Sequence, residues 1–158
     1  IFTTEHTDVY TLSDLLHLIT ESNARYSEHL QKDIRFEVIF NEDLETKKHI
    51  PLLAMLNNIV ANAIEAIETN GFIKIEVKIS PNLTTFTIEN NGPVIPEHVL
   101  PVIFDPGYTT KFNESGIAST GIGLSHVQTI VHQLTGTITV SSNETTTFTI
   151  SIPTYKLR

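Results

Sequence analysis

The chain has 158 residues, of which 40% are hydrophobic and 18% are charged, a composition typical of one globular domain with its own core. The net charge of −8 argues against nucleic acid or an anionic membrane as the main partner, and the absence of cysteine excludes disulfides and thiolate metal sites. No apolar run is long enough to span a membrane. The opening residues show no signal-peptide pattern, so we expect a piece of a longer protein.

The first third of the chain predicts a strand, a helix and a second strand. Residues 9–12 favour a short strand, and Ser13 followed by Asp14 predicts the N-cap of a helix that runs to about Gln31. Residues 34–40 alternate in the pattern of a half-buried strand. The helix would bury a stripe formed by Leu15, Leu16, Ile19, Ala24, Tyr26 and Leu30.

Residues 51–69 predict a central helix with a core face and an amide face. At about 100° per residue, Asn58, Asn62 and Glu65 share one side. Asparagine costs up to about 0.7 kcal/mol relative to alanine inside a helix, so this pair needs an explanation. Either the amides are solvated, or their oxygens hold a hard cation such as magnesium together with a phosphorylated ligand. The core face consists of Leu52, Leu56, Ile59, Val60, Ala63, Ile64 and Ile67.

The rest of the chain predicts two hairpins and a further helix. Asn70-Gly71 is a turn signal, and alternation directs Phe86 and Ile88 inward. Helices and hairpins segregate along the chain, which predicts an α/β two-layer sandwich with a mixed, mostly antiparallel sheet and helices on one face. The predicted strands span residues 72–79, 84–90, 137–141 and 145–152. The predicted helices span residues 96–103 and 121–134, the second capped by Thr120.

Residues 91–119 show little periodicity, and a connection of this length is usually functional. At its start Asn90 offers a hydrogen-bond acceptor and a donor, which match adenine, and Gly92 lets backbone approach a ligand. Taken alone this motif is more often only a turn. Residues 103–111 end at Lys111 and predict either a lid that reaches a phosphate or a solvated loop.

Residues 119–124 form a glycine-rich junction between this connection and the last predicted helix. Glycines at a helix N-terminus leave free amides facing an anion, and the helix dipole adds about half a positive charge. The sequence contains neither a Walker A motif nor the order of a dinucleotide-binding unit. A phosphate site here would therefore belong to another type of nucleotide pocket.

Taken in order, these motifs resemble the catalytic and ATP-binding domain of two-component sensor histidine kinases, in the citrate-sensor and quorum-sensor branches. The runs that carry the resemblance are NNIVANAIEA, ENNGPVIP, IFDPGYTTK, STGIGLSHVQTIV and FTISIP. The resemblance implies one domain over residues 1–158 with the Bergerat ATP-binding fold of gyrase, heat-shock chaperones and mismatch-repair ATPases. It also implies an N box at about 51–69, an adenine-site loop at 89–96, a lid at about 104–119 and a glycine-rich box at 119–124.

Site residues follow from the resemblance position by position. Asn62 is expected to coordinate Mg²⁺, while Asn58 and Lys111 are expected to act at the phosphates of ATP. Asn90 stands where the family usually has an aspartate that binds adenine, which keeps the acceptor and loses the charge. Val94 and Ser119 replace glycines common in the family. The remaining ATP-binding residues expected are Gly92, Ile95, Phe104, Thr120, Gly121, Ile122, Gly123, Leu124 and Thr146.

The resemblance further implies transfer of the γ-phosphate of ATP to a histidine. Hydrolytic members carry a glutamate at the position of Asn58, and an amide cannot act as that base. No histidine of this chain lies in a sequence resembling the phosphoacceptor hairpin, which we expect elsewhere in a dimeric, membrane-anchored parent. The domain itself is expected to be cytoplasmic and monomeric, without direct membrane contact, and to act on a response regulator indirectly. A serine kinase of the anti-sigma-factor type, a hydrolase and an ATP-binding scaffold on the same fold are the alternatives.

Overall fold

The computed structural model describes residues 9–106 and 123–158, and every structural statement below concerns those residues. They form seven strands, three helices and two short 3₁₀ turns. The strands are β1 (Tyr10–Thr11), β2 (Asp33–Phe40), β3 (Glu45–Thr46), β4 (Asn70–Ile79), β5 (Leu83–Asn90), β6 (Thr137–Ser142) and β7 (Thr146–Pro153). The helices are α1 (Leu12–His29), α2 (His49–Ala66) and α3 (Gly123–Gln133), and the 3₁₀ turns are Leu100–Val102 and Thr154–Lys156.

Five strands form one sheet in the order β2-β4-β5-β7-β6. Strands β2 and β4 are parallel, and the other three pairings are antiparallel. The small strands β1 and β3 pair with each other outside this sheet. All three helices contact the hydrophobic core on one side of the sheet, whose other side carries mostly threonine and charged residues. The predicted α/β two-layer sandwich with a mixed, mostly antiparallel sheet is confirmed.

Helix α2 lies at the centre of the core, as its periodicity predicts. All seven side chains of its predicted core face are at most 4% exposed. The helix begins at His49, two residues before the predicted start, because Pro51 fits the first helical turn, where its missing N–H costs no hydrogen bond. It ends at Ala66 rather than Thr69, since Ile67 already has extended backbone angles.

The start of α1 differs from the prediction. The N-cap is Thr11, not Ser13: the Thr11 side chain accepts from the Asp14 N–H, and the Asp14 carboxylate accepts from the Thr11 N–H. Ser13 instead donates from both its backbone N–H and its hydroxyl to the carboxylate of Asp43. Helix α1 is therefore tied at its first turn both to itself and to the loop before β3.

The predicted stripe of α1 is correct only in its first half. Leu15, Leu16 and Ile19 are buried, but the deeply buried residues that follow them are Asn23 and Ser27. The predicted Ala24, Tyr26 and Leu30 are only half-buried. A stripe chosen by apolar residues alone does not include Asn23 and Ser27. Both can be buried because their side chains form hydrogen bonds inside the domain.

The hydrogen bonds that Asp43 accepts from the start of α1 make the stability of the fold depend on pH. Burial raises its pKa, but hydrogen bonds from Ser13, Leu44 and Thr11 outweigh that effect and hold the pKa below its ordinary value of 3.8. The ionised carboxylate thus stabilises the fold above pH 3.8, and this contribution is lost as the pH falls through the lower folded-state pKa. We expect Asp43→Asn to flatten the acid side of the curve of unfolding free energy against pH. Glu42→Gln, at the exposed neighbour, is the matched control, and equal curves for the two variants would contradict this role.

Two further predictions need correction or lie outside the described residues. Residues 96–103 form only the 3₁₀ turn Leu100–Val102, because Pro101, in the middle of the predicted helix, removes an N–H group that a longer helix would use. Of the predicted helix over residues 121–134, the structure describes Gly123–Gln133, and its proposed cap Thr120 lies outside the described range. In the parts of the chain that the structure describes, no helix has the length and apolar character needed to cross a membrane.

Candidate functional site

The two asparagines of the amide face meet the first described residue of α3. A Cβ atom built on Gly123 would lie 3.6 Å from Oδ1 of Asn58 and 3.7 Å from Nδ2 of Asn62. Both asparagines are half-buried, so their amides are partly open to solvent. Their spacing of four residues brings them to the same side of α2, one turn apart. The result is a polar recess between α2 and α3, formed by two amides and a glycine backbone.

A second polar group forms where β5 ends. Asn90 is 5% exposed, and its Oδ1 accepts a hydrogen bond of 2.8 Å from the Gly92 N–H. This bond fixes the orientation of the amide, with oxygen toward the chain. Among residues 9–106 and 123–158, Nδ2 of Asn90 makes no hydrogen bond, so the donor is the group available to a ligand. A Cβ on Gly92 would lie 3.3 Å from Cγ1 of Ile67, which places this loop against the end of α2.

The loop after Asn90 is held to the last hairpin by hydroxyl groups. Thr146 is the register partner of Asn90 on β7 and is 2% exposed. Its hydroxyl lies 2.7 Å from the hydroxyl of Ser142, which accepts a 2.8 Å hydrogen bond from the Ile95 N–H. Asn90, Gly92, Ile95 and Thr146, all predicted as ATP-binding residues, therefore lie in one region at the end of the sheet.

We expect Ser142→Ala to loosen this loop, because the substitution leaves the part-buried Ile95 N–H without an acceptor. An unpaired donor of this kind costs about 1–2 kcal/mol, so urea denaturation should show a loss of that size. Ser141→Ala, at the exposed neighbour on the same strand, is the matched control. Equal unfolding free energies for the two variants would show that the Ser142 hydroxyl does not hold the loop.

The aromatic wall of the site is described in part. Phe104 contacts Phe148 of β7 edge to face, with ring centroids 6.3 Å apart. Leu124 is half-buried and packs against the core. Lys111, Thr120, Gly121 and Ile122 lie outside the described residues, as does most of the predicted lid. The predicted roles of these residues stay predictions.

Comparisons with known proteins show the family to which the chain belongs. The family model for histidine kinase-, DNA gyrase B- and HSP90-like ATPases matches residues 47–156, which include both amides, the adenine-site loop and Thr146. The chain belongs to this ATPase family. Its fold and its relatives identify it with the catalytic domains of sensor histidine kinases within the family.

Individual relatives support the same assignment of this histidine kinase ATPase domain. It is 37% identical over 148 residues to sensor histidine kinase GlnK of Bacillus subtilis, covering 92% of this chain and 36% of that protein. It is 35% identical over 146 residues to sensor histidine kinase ZraS of Salmonella typhimurium, covering 89% of this chain and 30% of that protein. The chain thus spans about a third of the curated relatives it matches.

Solved structures show the same fold. The catalytic domain of histidine kinase ThkA superposes with a TM-score of 0.77 at 27% identity, covering 93% of this chain and 98% of that one. Full-length ShkA, solved in complex with AMPPNP, superposes with a TM-score of 0.74 at 17% identity, covering 94% of this chain and 31% of that one. The second match shows the fold alone.

The donor set of this histidine kinase domain is compatible with magnesium. In the described parts of the chain, no three histidine, aspartate or glutamate side chains lie together as a metal-binding group. The amides of Asn58 and Asn62 both lie near Gly123, Asn58 through Oδ1 and Asn62 through Nδ2, and each amide carries a neutral oxygen. Because Mg²⁺ binds through one or two protein oxygens together with substrate phosphates and water, a pair of amides is sufficient.

Two contacts of the kinase domain were not predicted from the sequence. Oδ1 of Asn91 accepts a 2.7 Å hydrogen bond from the Phe72 N–H, and a Cβ on Gly71 would lie only 2.5 Å from this oxygen. Gly71 thus lets the Asn91 side chain approach closely, and the turn predicted at Asn70-Gly71 is wrong, since both residues belong to strand β4. Ser142 is the other omission, since a serine in a predicted turn carries no signal for a partner 47 residues away.

Proposed function

We propose that this domain binds Mg-ATP and presents the γ-phosphate to a histidine in the dimerisation domain of a parent sensor kinase. The observation that carries the proposal is the convergence of Asn58 and Asn62 on Gly123, in a chain whose relatives are sensor histidine kinases. ATP binding is a property of the ATPase family, and phosphotransfer is a property of its sensor histidine kinases. The assignment of individual residues and of magnesium is the part proposed here.

The residues divide between the two ends of the nucleotide. Asn90, Gly92 and Ile95 would hold adenine at the end of the sheet, with Thr146 behind them and Phe104 beside them. Asn62 would bind Mg²⁺ through its amide oxygen, and Asn58 would orient the phosphates. Bound Mg²⁺ would neutralise charge on the phosphates. The glycine-rich box and Lys111 are proposed as the remaining phosphate contacts.

Transfer of the γ-phosphate to a histidine fits the site better than hydrolysis of ATP. Attack by an imidazole nitrogen forms an N–P bond while the bond from the γ-phosphorus to the ADP oxygen breaks, so the chain must position groups rather than activate water. Asn58 has no basic group with which to take a proton from water. We therefore expect the isolated domain to show negligible steady ATP turnover.

The decisive experiment labels the full-length parent with ATP that carries ³²P in the γ-phosphate. Label that is stable to alkali and lost in acid identifies phosphohistidine and supports the proposal. Acid-stable label on a serine of a partner protein would favour the anti-sigma-factor-type kinase instead. No label, together with no ATP binding by the domain, would favour a scaffold and contradict the proposal. The response regulator and the membrane anchor belong to the parent and are proposed with it.

Asn90→Asp tests the adenine end of the site. An aspartate keeps the acceptor for the Gly92 N–H and replaces the free Nδ2 donor by a charged acceptor for the amino group of adenine. We expect calorimetry in magnesium to show ATP binding tightened by about fivefold, the difference between a neutral and a charged hydrogen bond. Asn91→Asp, at the exposed neighbour, is the control. ATP binding that is unchanged by Asn90→Asp would place adenine elsewhere.

A further inference from the structure

Helix α1 contacts α2 through a buried asparagine. Asn23 is 2% exposed, and its Nδ2 donates to the Ile19 carbonyl and to Oδ1 of Asn57, both at 2.9 Å. Asn57 precedes Asn58 on α2. Consecutive residues point about 100° apart on a helix, so Asn57 faces α1 while Asn58 faces Gly123 of α3.

A second set of polar contacts joins α1 and the turn that follows it to the C-terminal end of α2. The Tyr26 hydroxyl donates to Oε2 of Glu65 at 2.8 Å. Burial, together with the neighbouring Glu65 carboxylate, raises the pKa of Tyr26 to about 12, so the phenol stays a donor at neutral pH. Nζ of Lys32 donates to the carbonyls of Ile64 and Glu65 at 2.8 and 3.2 Å. Polar contacts at Asn57 and Glu65 thus flank the segment that carries Asn58 and Asn62.

These contacts define the rotation of α2 in a way that its apolar packing does not. Hydrophobic burial is non-directional, and a helix surrounded by aliphatic side chains tolerates small rotations about its axis. A hydrogen bond weakens steeply when its angle changes, and the bond from the buried Asn23 amide to Asn57 is directional in this way. A rotation of α2 would move Asn57 away from Asn23 and, by the same angle, move the two phosphate-facing amides.

We propose that Asn23 is a positioning residue: through Asn57 it fixes the rotation of α2 and so places Asn58 and Asn62 for the phosphates of ATP. This inference rests on the proposed phosphate site. The capping box of Thr11 and Asp14 and the tie from Ser13 to Asp43 hold the start of α1, which makes α1 a fixed support for the neighbouring helix.

The test compares binding of Mg-ATP and of adenosine to this chain by calorimetry. Asn23→Leu removes both hydrogen bonds of the Asn23 amide at similar side-chain volume. Asn57→Ala removes the acceptor at an exposed position. The second variant therefore tests the contact even if the first fails to fold. Each should weaken Mg-ATP binding by about five- to tenfold, the size of one lost directional contact, while adenosine binding stays within about twofold. The double variant should be no weaker than the single ones, because both remove the same contact.

The matched control is Ser27→Ala. Ser27 is also buried on α1, 3% exposed, but its hydroxyl donates only to the Ala24 carbonyl of its own helix. We expect this variant to lose stability without changing the ratio of Mg-ATP to adenosine affinity. The positioning role is overturned if Asn57→Ala weakens both ligands equally, or if the effects of Asn23→Leu and Asn57→Ala simply add.

Asn62→Ala, measured in the same way, distinguishes failure of the positioning role from failure of the proposed phosphate site. If Asn62→Ala loses Mg-ATP binding while the Asn23 and Asn57 variants keep it, only the positioning role is overturned. If Asn62→Ala also keeps Mg-ATP binding, the proposed phosphate site is wrong, and the positioning role that rests on it is overturned as well.

Discussion

Asn62→Ala is expected to weaken magnesium-dependent ATP binding by about 30- to 150-fold, which corresponds to a loss of about 2–3 kcal/mol for a contact with a charged partner. The amide of Asn62 lies beside Gly123, and truncation removes this amide, whose oxygen is the proposed Mg²⁺ ligand. Alanine is a better helix former than asparagine, so the helix itself should not suffer. The measurement is calorimetry of ATP with and without Mg²⁺.

The effect of Asn62→Ala should be specific to the phosphate end of ATP. Adenosine binding should persist in Asn62→Ala, because adenine is proposed to bind at Asn90 and Gly92. Asn82→Ala, in the turn between β4 and β5 at the opposite end of β5, is the matched control and should bind Mg-ATP normally. An Asn62→Ala protein that still needs Mg²⁺ and binds ATP as tightly as the wild type would show that the metal is held elsewhere.

Phe86→Ala is expected to lower the free energy of unfolding by about 3–5 kcal/mol, the usual range for removing a buried aromatic ring. Phe86 is fully buried on β5, with Val77 and Ile150 as its register partners on the flanking strands. No described element can fill the space without moving the sheet or α2. Since domains of this size are stable by about 5–15 kcal/mol, the variant should fold but denature at much lower urea concentration.

Thr87→Ala is the control for this substitution. Thr87 is the next residue on β5 and lies on the opposite side of the sheet, half-buried between Glu76 and Thr149. Its replacement changes only strand propensity and surface contacts, which together are worth at most about 1 kcal/mol. Similar losses for Phe86→Ala and Thr87→Ala would mean that the sheet has no preferred core side, contrary to the burial observed.

The fold could be predicted because its strands and central helix follow simple periodicities. Alternation predicted strand β5 to within one residue and directed Phe86 and Ile88 to the buried side. The apolar arc of α2 was predicted except for Met55, which is also fully buried, since the helix packs against both the sheet and its neighbouring helices. Periodicity is a reliable guide where a single hydrophobic face decides the orientation of an element.

The polar contacts were much less predictable. The N-cap is Thr11 because its hydroxyl accepts from the Asp14 N–H. Serine and threonine are both favoured at this position, so the sequence alone does not decide between Thr11 and Ser13. Asn23 and Ser142 each bond to residues more than thirty positions away, at distances fixed only once helices and strands have packed. Composition and spacing contain no signal for such pairs.

The site itself was predicted through the resemblance rather than from single motifs. Asn58 and Asn62 share a helix side by simple geometry, but only the tertiary structure brings Gly123 to them. The orientation of the Asn90 amide, with its oxygen on the Gly92 N–H, could not be predicted, because both amide groups had been matched to adenine.

The helix that carries both amides is also the crossover that joins the parallel strands β2 and β4. Pairing Asp33 with Asn70 closes a loop that contains all of α2, and non-local contacts of this kind are slow to form during folding. The nucleotide recess is therefore completed only when this edge of the sheet has formed. Since ATP would bind the completed recess and not the unfolded chain, nucleotide would stabilise by mass action only domains in which β2 and β4 have paired.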